Sequence, residues 1–198
     1  MTSDRASART FWSLVGVIVL LDVITKALAV RHLAPMHVPR EVLGDVFRLT
    51  LVYNPGAAFG LDLGPYSRWI FLVLTLVALV VLGRLYRATR ASEVMRSVAL
   101  GLVCGGAVGN LIDRIRSASG VVDFLDVGIG DWRWPTFNIA DIAVSVGAFL
   151  LAWALWGEEQ ATAAEAAPAG SPSGTPSSTP PGTPARAPVP SANPGPGR

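Results

Sequence analysis

Two aspartates stand where an apolar chain has most reason to avoid them. Asp123 falls within Val121-Val122-Asp123-Phe124, and Asp141 within Phe137-Asn138-Ile139-Ala140-Asp141, which opens the last long apolar run. A charge at or near bilayer depth is costly, so each marks a candidate functional site with a partner to be named. If the two face each other, they cannot both ionise easily and must share a proton. The ionised one can then deprotonate a water. The protonated one can polarise a carbonyl and later protonate a leaving amine. That is metal-free amide hydrolysis.

Other chemistries find less support. His32 and His37 lie five residues apart without further ligand-type neighbours, so the sequence predicts neither a zinc site nor another cofactor. The single cysteine, Cys104, cannot form a disulfide within the chain and reads as a small buried residue. No Ser or Cys pairs with a His in a recognisable arrangement, so a hydrolase in this chain would be aspartyl. Fifteen arginines accompany one lysine at a net charge of +2, which carries no sign of a nucleic-acid partner.

Further polar residues flank the two aspartates. Asp22 and Lys26 are four apart and can pair across one turn, and Lys26 is also long enough to reach toward the membrane interface. Asn110 and Asp113 share a helix face. Asp113 ends its helix against the dipole and needs compensation, for which Arg114 or a backbone donor is the expected source. A structural ion pair is as good a reading of Asp113 as a catalytic role. Asn138 is placed to cap the helix that Asp141 enters, where negative charge is favoured. Asp141 alone could be no more than a first-turn anchor. Asp126 is expected on the strand face opposite Asp123, and Asp131 in a turn, both in water.

The elements that must position these residues are long and apolar. The chain has 198 residues, 51% of them hydrophobic and clustered in four runs: Phe11 to Val30, about Tyr66 to Leu85, roughly Val94 to Ile112, and Phe137 to Trp156. Each approaches the ~20 residues that a spanning helix needs. The first run is too long for a typical signal-peptide core, carries Asp22 and Lys26, and is expected to be retained. Arg84, Arg87, Arg90 and Arg96 crowd between the second and third runs, and Arg5 and Arg9 precede the first. Positive charge in short loops marks the cytoplasm, so both termini are expected inside and segments 31–65 and 113–136 outside.

Those outer segments carry strand signals. Phe47, Leu49, Leu51 and Tyr53 alternate with Arg48, Thr50 and Val52 before an Asn54-Pro55-Gly56 turn, and Val121 to Ile129 is a second strand-like run. Two short strands can pair into a small sheet at the membrane face, with Trp132 and Trp134 in an interfacial belt. Gly101, Gly105 and Gly109 recur every four residues and predict close helix packing. Residues 158–198 are rich in Pro, Ala, Ser and Thr and predict a disordered cytoplasmic tail, leaving a folded unit of 1–157.

Five stretches in order resemble the bacterial lipoprotein signal peptidases, or signal peptidase II. They are Asp22 to Lys26, Tyr53 to Gly60, Gly105 to Arg114, Val121 to Phe124 and Phe137 to Asp141. The resemblance implies an intramembrane aspartyl endopeptidase with four transmembrane helices. It would remove the signal peptide from diacylglyceryl-modified prolipoproteins on the amino side of the lipidated cysteine, near the outer face of the cytoplasmic membrane. The catalytic pair would be Asp123 and Asp141, supported by Asp22, Lys26, Asn54, Gly56, Asn110, Asp113, Arg114, Asn138 and Ala140. Asp113 competes with Asp123 for the first role, but its neighbouring arginine suits a structural task. Partners would be lipid-modified prolipoproteins and membrane lipid, with the chain acting as a monomer. The rival from another class, a proton-coupled transporter, would place its charges at the midplane rather than the outer boundary.

Overall fold

The computed structural model describes residues 2–56 and 63–166. The expected tail does not begin at 158, since residues 158–166 continue the last helix; its remainder lies outside the described residues, as do positions 57–60 of the Tyr53 to Gly60 stretch. Four helices dominate: α1 (Thr2–His32), α2 (Ser67–Ala88), α3 (Val94–Arg116) and α4 (Ile139–Ala166). A 3-10 turn at Gly64–Tyr66 leads into α2. Each helix contains a stretch long and apolar enough to cross a membrane. The chain is a multi-pass membrane protein.

α3 is the least apolar of the four, with a mean hydropathy of 1.5 in its spanning stretch, yet 44% of that stretch is buried. The corresponding share is 17% in α1 and α4 and none in α2. A helix surrounded by protein need not present lipid-like side chains all round, so α3 is the central post. Its glycines allow this. A Cβ on Gly101 would meet Leu14, and one on Gly105 would lie 2.9 Å from Cβ of Ile18, both on α1. On the other side Gly106 faces the Ala140 carbonyl of α4, and Gly147 of α4 faces Ala99 and Leu102 of α3. The expected small-residue seam therefore has two faces, one for each neighbour. Large side chains such as Trp12, Leu20, Trp69, Val77 and Phe149 stay exposed on the outer surfaces, where lipid would lie.

The sheet has four antiparallel strands rather than two, in the order β1 (Arg40–Leu43), β2 (Phe47–Asn54), β3 (Val121–Ile129) and β4 (Trp132–Arg133). The two extra strands are short flanks, too brief for an alternation signal in the sequence. Between the pairs Leu49↔Leu125 and Val52↔Asp123 the register slips by one residue, a bulge beside Asp123 of the kind that re-aims a side chain. β3 is pinned on its other edge by the segment before α4. The Phe137 carbonyl accepts from the N–H groups of Phe124 and Leu125, and Phe137 N–H returns to the Leu125 carbonyl. Ala29, Leu33, Leu51, Val122 and Phe124 bury one another between α1 and the sheet. Strand β3 and the start of α4 are thereby held side by side.

Candidate active site

Asn138, fully buried, joins the two aspartates. Its side-chain Nδ2 donates to Asp123 Oδ1 at 2.7 Å. Its Oδ1 accepts the Asp141 backbone N–H at 2.9 Å, and its own backbone N–H donates to Asp141 Oδ2 at 3.2 Å. The last two bonds form a reciprocal cap on α4, so the expected capping role holds and extends to a grip on Asp123. Asn54, at the end of β2, donates from Nδ2 to Asp123 Oδ2 at 3.2 Å. Asn110 donates from Nδ2 to Asp141 Oδ1 at 2.8 Å. Every oxygen of both carboxylates therefore faces an N–H donor.

Asp123 is 3% exposed. Burial first, and then the charge of Asp141, push its carboxyl up to about 7, against the opposing pull of Asn54, Asn138 and Lys26. Asp123 is thus the carboxyl of the two that burial disposes to keep a proton. Asp141 is half-buried at the N-terminus of α4 and accepts two N–H bonds. A proton-holding carboxyl beside a second one is what a water-activating pair needs.

Behind the pair lies a second layer. Lys26 Nζ contacts Asp22 Oδ2 at 2.7 Å, Asp113 Oδ2 at 2.9 Å and Asn110 Oδ1 at 2.8 Å. Asp22 Oδ1 accepts the Ala140 backbone N–H at 2.9 Å, which makes α1 a clamp on the start of α4. Asp113 Oδ2 accepts the Val122 N–H at 3.2 Å, one residue before Asp123. Gly109 makes room for this layer, because a Cβ there would strike Asp22.

Several sequence expectations need correction. Lys26 does not reach toward the interface; it is 3% exposed, hydrogen-bonds Asn110 and pairs with the carboxylates of Asp22 and Asp113 inside the protein. Of the two sources expected for Asp113, the backbone donor holds, as the Val122 N–H, and Lys26 rather than Arg114 is its ion-pair partner. Arg114 turns the other way, donating from Nη2 to the Gly56 carbonyl at 2.9 Å, and so ties α3 to the turn after Asn54. Asp126 is not solvated but 7% exposed, bonded to Thr50 at 2.8 Å and Arg133 at 2.7 Å. Arg48 and Thr50 of β2 and Arg133 of β4 enclose it, so its burial comes from long side chains on the neighbouring strands. Asp131 is exposed as expected.

Two contributors went unnoticed in the sequence. Gly120 has φ +99°, and a Cβ on it would collide with the Asn54 carbonyl, so it lets β3 start against the end of β2. Arg68, at the start of α2, donates from Nε to the Arg114 carbonyl at 2.6 Å and from Nη2 to the Ile115 carbonyl at 3.2 Å, capping α3. A glycine before a strand was a legible signal, whereas nothing local announces Arg68.

A family model described as signal peptidase (SPase) II matches residues 14–157, which include every member of this network. The chain belongs to the signal peptidase II family. A lipoprotein signal peptidase of Nitratidesulfovibrio vulgaris (strain DP4) is 44% identical over 146 residues, covering 72% of this chain and 86% of the relative. One from Syntrophotalea carbinolica is 42% identical over 152 residues, covering 76% and 93%. Among solved structures, a bacterial membrane enzyme determined by the in meso method at 2.3 Å superposes with a TM-score of 0.67 at 30% identity, covering 76% of this chain and 89% of that one. A second, at 1.9 Å, gives 0.64 at 31% identity, covering 74% and 92%. The likeness to these membrane enzymes covers about three quarters of the chain.

Proposed function

We propose that this member of the signal peptidase II family is an aspartyl endopeptidase that removes the signal peptide from diacylglyceryl-modified prolipoproteins. It cuts on the amino side of the lipidated cysteine, with Asp123 and Asp141 as the catalytic pair. The observation that carries this reading is the bridge through Asn138, which holds both carboxyls while Asp123 is buried enough to keep a proton near pH 7. Asp141 takes a proton from water, and the resulting hydroxide bonds to the scissile carbonyl carbon. Asp123 donates its proton to the carbonyl oxygen as the tetrahedral intermediate forms. The C–N bond then breaks, the leaving amine takes the proton held on Asp141, and Asp123 recovers its own.

Asn54 and Asn110 are assigned the task of orienting the pair and the substrate backbone, and Arg114 that of holding the Gly56 turn beside it. The family resemblance implies that the peptide inhibitor globomycin would bind beside the same two aspartates. The arginine-rich α2–α3 connection supports a topology with both termini in the cytoplasm and the site near the outer face. Since one chain supplies every group named here, the proposed working unit is a monomer.

The test is a gel-shift cleavage assay with purified protein and a diacylglyceryl-modified prolipoprotein, with chelator present throughout. Asp123→Asn and Asp141→Asn should each lose about 10²-fold or more of the rate, the contribution of a general acid or base. Retained cleavage by Asp123→Asn, with loss in Asp113→Asn, would transfer the first role to Asp113. A folded wild type that leaves the lipidated substrate uncut would overturn the peptidase reading.

A further inference from the structure

We infer that Lys26 is a positioning residue of the peptidase: its ammonium fixes the Asn110 side-chain amide in the one orientation that aims an N–H at Asp141. The inference rests on the aspartyl reading above and adds a residue that acts through another.

An asparagine amide can turn over with little change of shape, exchanging its oxygen and nitrogen. In this site the turn is forbidden from both ends. Lys26 Nζ lies 2.8 Å from Asn110 Oδ1, and an ammonium has donors but no acceptor. Asn138 Nδ2 donates to the same oxygen at 3.1 Å. An amide nitrogen turned toward them would meet two donors. At the other end Asn110 Nδ2 donates to Asp141 Oδ1 at 2.8 Å, and an amide oxygen there would face a carboxylate. The orientation is thus dictated by the lysine and delivered to the aspartate.

The lysine is itself held from the same directions. The carboxylates of Asp22 and Asp113 flank its ammonium as ion-pair partners at 2.7 and 2.9 Å. Their carboxylates also receive the backbone N–H groups of Ala140 and Val122, the residues immediately before Asp141 and Asp123. One ammonium therefore reaches the backbone beside each proposed catalytic residue through a carboxylate, and the side chain of Asp141 through an amide. Lys26 is the only lysine in the chain among fifteen arginines. A flat, forked guanidinium cannot converge three donors on three acceptors grouped round one point as an ammonium can.

The decisive variant is Asn110→Asp, near-isosteric with the native residue. It keeps an oxygen for Lys26 and Asn138 to bond but replaces the N–H aimed at Asp141 by an oxygen. In the cleavage assay with the purified full chain, kcat should fall about 10²-fold or more with KM little changed, and thermal unfolding should show a folded protein. Lys26→Met should lower kcat in the wild-type background but add little in an Asn110→Ala background, because both remove the same interaction. Lys26→Arg should recover folding more fully than rate. If Lys26→Met fails to fold, Asn110→Asp still decides. A folded Asn110→Asp that keeps more than half of the wild-type kcat overturns the inference, as does a Lys26→Met loss that adds in full to that of Asn110→Ala. Asp141→Asn run alongside separates the two readings. If it stays active, the aspartyl reading falls; if it is dead while Asn110→Asp is active, only the role of Lys26 falls.

Discussion

Asp123 accepts an amide N–H at each carboxyl oxygen, and those bonds taken alone would favour its ionised form. Burial and the charge of Asp141 outweigh them and lift the carboxyl from 3.8 to about 7. Below that value Asp123 carries its proton. Above it Asp123 is ionised and can no longer serve as the acid proposed to protonate the carbonyl oxygen. Cleavage should therefore decline on the alkaline side of about pH 7, in a pH–kcat profile measured with lipidated substrate. Asn54 pulls the carboxyl down, so Asn54→Ala should move that limb to higher pH, whatever it does to the maximal rate. A limb that stays in place would remove Asn54 from the immediate surroundings of Asp123.

At the scale of the elements, the distance between β3 and α4 depends on how closely α3 meets α4. Gly106 sits under the Ala140 carbonyl, and a Cβ there would also lie 2.7 Å from Val144 Cγ2. Backbone cannot yield as a side chain does, so Gly106→Ala should push the start of α4 away. The expected cost is about 1–3 kcal/mol in stability. Cleavage should fall with it, because Ala140 adjoins Asp141. Gly83 on α2 has nothing within 4 Å of the same position. Gly83→Ala should therefore keep both cleavage and the unfolding temperature, or raise the latter through better helix propensity. Equal behaviour of the two variants in a thermal-unfolding and cleavage comparison would reject this account of the seam. The sheet has its own lock, in which Asp126 binds Thr50 of β2 and Arg133 of β4. It keeps β3 straight between its neighbours just beyond Asp123.

For the whole molecule, the proposed orientation places the sheet and the two aspartates outside and the α2–α3 connection inside. Cys104 is the only cysteine and is buried, so Cys104→Ala yields a background for single-cysteine labelling. In intact cells an impermeant maleimide should label Asp131→Cys in the β3–β4 turn. Ser92→Cys, between α2 and α3, should react only after the membrane is opened. The reverse pattern would invert the topology and place the cleft on the wrong side for a secreted precursor.

Much of this protein could be read along the chain, because spanning helices and strands are written as local periods of apolar residues. The four spans, the paired strands, the Asn138 cap and the glycine seam all rest on neighbours within a few residues of one another. The placement of Asp123 and Asp141 as candidates also came from local pattern and from the cost of a charge in an apolar run. Partnership was different. Ala140 meets Asp22 across 118 residues of sequence and Asn110 meets Asp141 across 31, and no spacing rule reaches that far. Sequence proximity suggested Asp22 for Lys26, which holds, and Arg114 or a backbone donor for Asp113; the fold adds the lysine to Asp113 and sends the arginine to Gly56. A buried charge pairs with whatever the packing of helices sets beside it, and only the tertiary structure decides which residue that is.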